Sequence, residues 1–477
     1  MGVDKDGPPI PEVSAQWGYT MNHGFNKVGI RTKLVMSVLA LAMGTASHAA
    51  TQVVGGATLP AIGYVGTGAE TNTQVISPAS NSLFGVWKSV VSSTTAAYCQ
   101  TGSGAGKNVL AGVANYNVQN ACPTDSTGTL HGFGANATGV GRPDLTWPNV
   151  VGADSPLSAS DLSNYSADHS SSYLPVQFPA VAGAISIAMN EKTALGVQLG
   201  VTNTNFSDLQ VCEIFSGTVT NWNDPALASA FTLGTGDSIP SGAINVQYRS
   251  DGSGTSFAFS NHLANAGQSS AANECSGVTT AAKHFVTNQA FASAVALYLP
   301  TLPTNWTGSS GNPAVAAAVA ATTGSIGYVE TANSQAAGIN FAKINGVSPA
   351  AFGAPVAISS SNIVTNEYIN GADPTTGLPV LTAISPAPST QCMMLVTPSS
   401  YGLPSSGYPI MAVSYLLGSS QGNGTGDLAN VQSLLYAPYN SAVTGSRSLS
   451  TFGTGKGLAL LTGTGITSTT INNCVIN

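Results

Sequence analysis

The sequence predicts an α/β protein of two domains. Three observations predict it. Short apolar strands alternate with helix starts, glycine turns join the two, and 477 residues exceed what one hydrophobic core usually serves. The 54 Gly and 26 Pro supply the turn chemistry. Charged residues make up only 7% of the chain, against roughly 25% in a typical soluble domain, so its polarity comes from hydroxyls and amides. That composition suits an extracellular or periplasmic protein better than a cytosolic enzyme. The net charge of −7 argues against nucleic acid, which requires a basic surface. It also means that an anion would have to be held by local donors in a preorganised pocket.

At the N-terminus Lys27, Arg31 and Lys33 precede the apolar run Leu34–Met43, and Ser47 and Ala49 occupy small-residue cleavage positions. This order matches a signal peptide with an N-terminal extension over residues 1–49. Met21 is a suitable start, and the mature protein is expected from about Ala50. The run is too short for a permanent membrane anchor, and no later apolar run is long enough to span a bilayer.

Val53-Val-Gly-Gly-Ala-Thr58-Leu-Pro60 reads as a strand, a glycine turn and a helix start, with Pro60 suited to the first turn. A strand around Tyr98 leads into Gly102-Ser-Gly-Ala-Gly106 and then a helix. Residues 114–148 read as a loop-like insertion. Val150–Asp154 ends another strand, and Ser158 with Asp161 forms a capping box. Leu174–Asn190 is a long extended stretch. Ser207 caps a helix that Gly217 stops. The strand Val246–Arg249 runs into Ser250-Asp-Gly-Ser-Gly-Thr255 and a helix with apolar groups at Phe259, Leu263 and Ala266. Gly324–Glu330 is a further strand. The stretches around 300–322 and 440–456 read as loops.

The six cysteines, 99, 122, 212, 275, 392 and 474, all follow the signal segment. An even count in an exported chain implies disulfides of many possible connectivities. The sequential pairing Cys99–Cys122, Cys212–Cys275, Cys392–Cys474 is favoured because each bridge then stays within one region. No C-x-x-C motif occurs. The six His (23, 48, 131, 169, 262, 284) lack metal-ligand spacing, so neither metal nor cofactor is expected. Gly418-Ser-Ser420-Gln-Gly422 matches a hydrolase elbow, yet no His follows Ser420, and it reads as a polar loop. Gly102–Lys107 resembles a phosphate-binding loop of nucleotide enzymes, but the spacing fails and Asn108 replaces the hydroxyl residue.

Three segments share one design: strand, glycine turn, hydroxyl residue, helix. They carry Thr58, Ser103, and Ser253 with Thr255 at helix N-termini, where free N–H groups and the helix dipole favour an anion. Arg249 adds a planar fork matched to two anion oxygens, and Asp251 stands where it could orient that fork. Asp154 fits beside an anion only if the anion keeps a proton to donate, which would exclude proton-free sulfate.

Gly56-Ala-Thr-Leu-Pro60, Gly102-Ser-Gly-Ala-Gly106, Gly152-Ala-Asp-Ser-Pro-Leu-Ser158, Val219-Thr-Asn-Trp-Asn-Asp-Pro225, Arg249-Ser-Asp-Gly-Ser-Gly-Thr-Ser-Phe257 and Gly324–Glu330 together resemble the phosphate-binding subunits of Pst-type ABC transporters. The opening Gly-Gly-Ala-Thr-Leu-Pro and Ser406-Gly-Tyr-Pro-Ile410 are closer to the DING branch. The resemblance covers roughly residues 52–345 and, more loosely, 390–477. The chain departs from that branch at its opening, where Val-Val-Gly-Gly replaces the DING signature, and in insertions around 114–148 and 346–390.

The resemblance implies a two-lobed periplasmic binding fold of type II, each lobe a mixed sheet flanked by helices, joined by two crossing strands. Those strands would lie near Gln177–Ala180 and Tyr328–Thr331. Lobe 1 would span 50–178 and 331–477, and lobe 2 would span 179–330. Carried across by motif, the phosphate ligands would be Thr58, the N–H of Leu59, Ser103, Asp154, Arg249, Ser253, Gly254 and Thr255, with Asp251 supporting Arg249. The expected function is high-affinity capture of inorganic phosphate outside the cytoplasm, by a monomer without a membrane span, for an ABC permease or as a free scavenger. The alternative is a secreted DING-type alkaline phosphatase, for which Ser103 or Ser253 lacks a base evident in the sequence.

Overall fold

A computed structural model describes residues 50–477 except 72–73, 124–130, 272–273, 354–355 and 425. The expected signal segment and extension, 1–49, lie outside the described residues. The elements that position the site are, in chain order, β1 (Gln52–Gly56), β2 (Ala96–Gln100), α1 (Ser103–Ala111), β3 (Val150–Ala153), α2 (Ala159–Asp168) and β4 (Pro175–Asn190). They continue with β5 (Asn245–Arg249), α3 (Gly254–Gln268), β6 (Thr307–Ser309), α4 (Asn312–Ala321) and β7 (Ser325–Glu330). Last come β8 (Glu367–Ala372), β9 (Pro379–Ala383), β10 (Met411–Ser419) and β11 (Leu458–Thr462).

Most of these strands lie side by side in the order β2-β1-β3-β10-β4-β7-β5-β6, with β11 also on β4. β1 runs parallel to β2 and β3, and β5 runs parallel to β6 and β7. The antiparallel strand β4 joins the two groups. Its residues Pro175–Ala184 pair with β10, and from Ile185 to Asn190 it pairs with β7. The two halves of the sheet are therefore carried on one strand, which changes neighbours at Ala184–Ile185, later than the Gln177–Ala180 expected. The chain also stays with the second half beyond β7, since Phe341 pairs with Ala188 and Ile344 with Phe206.

Strand β4 is buried along nearly its whole length, which is why its sequence is a mostly apolar run, broken at Gln177 and Ser186, rather than an alternating one. Pro179, which has no N–H to give a ladder, sits where the register with β10 shifts between Ser414 and Tyr415, so a bulge absorbs it. The core clusters on both sides of this strand; Val176, Phe178, Ile185 and Ile187 are fully buried.

Local signals explain the helix starts. The Ser158 and Ser207 side chains both form capping boxes, with Asp161 and Gln210. Two stretches differ from their expected loop character. Residues 307–321 hold β6 and the helix α4, which Gly311 precedes and Pro313 opens, and 441–444 form a short helix. Three disulfides join Cys99 to Cys122, Cys212 to Cys275 and Cys392 to Cys474. Among the described residues, no helix is long and apolar enough to cross a membrane.

Candidate functional site

The loops that leave the C-terminal ends of β1, β2, β3, β5 and β6 converge, the place where open α/β sheets present ligand-binding groups. Tight glycine turns make the convergence possible. Gly56, at φ 120°, lies against the β3 backbone: a Cβ there would stand 2.2 Å from the Gly152 carbonyl oxygen. Gly102, at φ 85°, would place a Cβ 2.5 Å from Asp251 Oδ2. Only glycine serves at either position.

Arg249 is the centre of the site and is 2% exposed. Its Nε donates to Asp251 Oδ1 at 2.6 Å and its Nη2 to Asp251 Oδ2, a bidentate pair that fixes the plane of the guanidinium. Asp251 is itself held by the Gly311 N–H at 3.1 Å. The remaining Nη1 reaches Thr255 Oγ1 at 3.2 Å and Thr58 Oγ1 at 3.4 Å. Burial opposes the Arg249 charge, but Asp251, ahead of Tyr328 and Asp154, keeps it protonated.

Asp154 faces this group from the first half. Its backbone N–H donates to Ser103 Oγ at 3.0 Å, and Ser103 Oγ donates to its Oδ2 at 3.4 Å. Its Oδ1 is buried without a hydrogen-bond partner. Burial pushes the Asp154 carboxyl up to about 7, against the pull of Ser414, the Arg249 charge and Ser103. Asp154 Oδ1, which makes no close hydrogen bond, has an acceptor to offer.

The sequence-derived set therefore meets in space. Arg249 bonds Thr58 and Thr255 and is held by Asp251, Ser103 bonds Asp154, and the Arg249 charge acts on the Asp154 carboxyl across the gap between the two groups. Gly254 packs against both Asp154 and Ser103. Ser253 caps α3, its Oγ accepting the Ser256 N–H at 3.0 Å, so its side chain is already engaged in the helix. Leu59 is buried beside Thr58, its side chain in the core.

Sequence reading missed Asn312. This first residue of α4 is fully buried; its Nδ2 donates to Thr58 Oγ1 at 3.0 Å and to Thr255 Oγ1 at 3.1 Å, and its backbone N–H donates to Thr58 Oγ1 at 3.2 Å. The signal was present: Thr307-Gly-Ser-Ser-Gly-Asn-Pro313 repeats the strand, glycine turn and helix start of the other loops. Among the described residues, no cluster of three or more His, Cys, Asp or Glu is placed to hold a metal ion.

The family described as PBP superfamily domain matches residues 65–430. Alkaline phosphatase L of Pseudomonas aeruginosa strain PAO1 is 29% identical over 357 residues, 74% of this chain and 76% of that protein. Phosphate-binding protein PstS 3 of Mycobacterium leprae is 28% identical over 274 residues, 57% of this chain and 62% of that protein. A solved phosphate-binding protein from Stenotrophomonas maltophilia has the same fold, with a TM-score of 0.52 and 23% identity over 87% of this chain and 91% of that one.

Proposed function

This chain belongs to the PBP superfamily and has its two-lobed type II fold, and from that premise we propose that it captures inorganic phosphate between the lobes. The name of the Mycobacterium leprae relative supports that ligand. The observation that carries the reading is the pairing of opposites in one buried site. Arg249 and the Thr58 and Thr255 hydroxyls supply donors, while Asp154 Oδ1 supplies an unsatisfied acceptor. A fully deprotonated oxyanion satisfies the donors but leaves the carboxylate opposed by like charge. A phosphate that keeps a proton satisfies both.

Phosphate would be bound by Thr58, the Leu59 N–H, Ser103, Asp154, Arg249, Ser253, Gly254 and Thr255, with Asp251 orienting Arg249. The protein would work in the periplasm or as a secreted monomer, delivering phosphate to an ABC permease or retaining it as a scavenger.

Calorimetric titration with phosphate, arsenate and sulfate tests the ligand. Phosphate and arsenate should bind and sulfate should not, and Asp154→Asn should admit sulfate. Sulfate bound as tightly as phosphate by the wild type refutes the reading.

One observation favours a second reading, hydrolysis of phosphomonoesters, beyond the name of the Pseudomonas relative. The raised Asp154 carboxyl lies within reach of Ser103 Oγ. In its ionised form it could take the serine proton as the Ser103 oxygen bonds to phosphorus, then pass that proton to the departing ester oxygen. Water would next cleave the phosphoserine and regenerate the serine. Turnover of a chromogenic phosphate ester that survives purification and disappears in Ser103→Ala would establish it.

A further inference from the structure

A hydroxyl has one hydrogen to give and two lone pairs to receive with. At Thr255 Oγ1 both receiving positions are taken, by Arg249 Nη1 at 3.2 Å and Asn312 Nδ2 at 3.1 Å. At Thr58 Oγ1 they are taken by Asn312 Nδ2 at 3.0 Å and the Asn312 N–H at 3.2 Å, with Arg249 Nη1 more distant at 3.4 Å. None of these partners can accept a hydrogen in return. The orientation of the Asn312 amide is fixed independently, because its Oδ1 accepts the Glu330 N–H at 3.4 Å and leaves Nδ2 facing the hydroxyls. With their lone pairs filled, the two threonines can only donate. They belong to different halves of the molecule, and one amide governs both.

We propose that Asn312 is a positioning residue that sets the proton count of the bound anion. With Arg249 Nη1 it fills the acceptor positions of Thr58 and Thr255 and commits both hydroxyls to donation, which leaves Asp154 Oδ1 as the unengaged carboxylate acceptor for a ligand proton. The inference rests on the reading of this site as a phosphate site. A ligand carrying one proton satisfies every group, whereas one carrying two leaves a proton facing a donor. Without the Asn312 side chain Thr58 keeps the backbone N–H and Arg249 Nη1, but Thr255 keeps Arg249 Nη1 alone, and its freed lone pair can accept that second proton, so the site distinguishes the monoanion of phosphate from the dianion less sharply. The charged and titratable groups around Asn312 are Arg249, Asp251 through Gly311, Glu330 through its N–H, and Asp154 across the site. All are present in both proteins compared, so they do not by themselves change the ratio of affinities.

The test is calorimetric titration of inorganic phosphate at about pH 5.5 and about pH 8. It uses the wild type, Asn312→Ala, the double variant Thr58→Val with Thr255→Val, and the triple variant. Asn312→Ala should weaken phosphate about tenfold at the higher pH and distinctly less at the lower, where the monoanion dominates. In the double-threonine background it should cost less than about twofold, because the hydroxyls through which it acts are gone. Equal losses in both backgrounds, or a loss independent of pH, make Asn312 structural and overturn the proposal. Should Asn312→Ala melt far below the wild type, Asn312→Ser takes its place: it keeps a polar group at the helix start but is too short to bridge both hydroxyls. A wild type that takes up no phosphate overturns the underlying reading and this proposal together, and is told apart because it fails before any substitution.

Discussion

Gly254 lies so close to Asp154 that a methyl group on it would stand 2.5 Å from the Asp154 Cβ, and equally near Ser103 Oγ. The two residues belong to opposite halves of the sheet. Real Cβ contacts need roughly an ångström more, so Gly254→Ala should hold the halves apart without harming either. At the first position of α3, alanine favours the helix by up to about 1 kcal/mol over glycine. The expected outcome is a melting temperature close to that of the wild type without phosphate, and phosphate affinity lower by at least about a hundredfold. Thermal unfolding and calorimetry on one preparation check it. Retained affinity would show that the halves do not need this closeness.

Asp154 should make the ligand-free protein pH-sensitive. Burial raises its carboxyl from 3.8 to about 7, so the folded state prefers the protonated form. The stability this group contributes is complete below the ordinary carboxylate range and falls as pH rises through about 7. Each pH unit of that window is worth roughly 1.4 kcal/mol. Between pH 5 and pH 8, in phosphate-free buffer, Asp154→Asn should lose less stability than the wild type. Parallel curves in urea would show that the carboxyl stays ionised.

Much of this architecture is legible in the residues, for reasons particular to each. The capping boxes at Ser158 and Ser207 need only local chemistry, and the mostly apolar run of β4 records burial on both faces. Gly56 and Gly102 mark turns that no side chain would fit. The sequence is silent where the determinant is not local. Pro179 looks like a strand breaker until its bulge against β10 is seen. Asn312 stayed hidden because β6 has only three residues and α4, Asn-Pro-Ala-Val-Ala-Ala-Ala-Val-Ala-Ala, has no amphipathic period to announce a helix. The hand-over at Ala184–Ile185 depends on partners more than a hundred residues away in β7 and β10.

The disulfides should differ in worth according to the chain they close. Their sequence separations are 23, 63 and 82 residues. On a loop-entropy scale these closures span roughly 3 to 4.5 kcal/mol. Cys392–Cys474 also anchors the last helix, Ser468–Cys474, to a segment whose Cys392 carbonyl accepts the Gln177 N–H of β4. Replacing Cys392 and Cys474 by Ala should therefore lower stability more than replacing Cys99 and Cys122. Urea unfolding of the two double variants, without reductant, decides the order, and the reverse order would mean that local strain outweighs loop length.

The hairpin β8–β9 touches both halves of the molecule. The Ile369 N–H donates to the Leu157 carbonyl at 2.9 Å on the first half. At its tip the Thr287 N–H donates to the Gly377 carbonyl at 2.9 Å on the second. Gly377 sits at φ 70°, and a Cβ there would meet the Phe285 carbonyl oxygen at 1.8 Å, so no other residue can seat the tip. Beneath it, Thr287 Oγ1 and both His284 ring nitrogens are buried without partners. The hairpin thus bridges the two halves through backbone hydrogen bonds to each. Gly377→Ala should speed phosphate dissociation several-fold while changing association little, as seen by stopped-flow with a competing phosphate trap. A dissociation rate equal to that of the wild type would show that the hairpin only covers the cleft and does not restrain its opening.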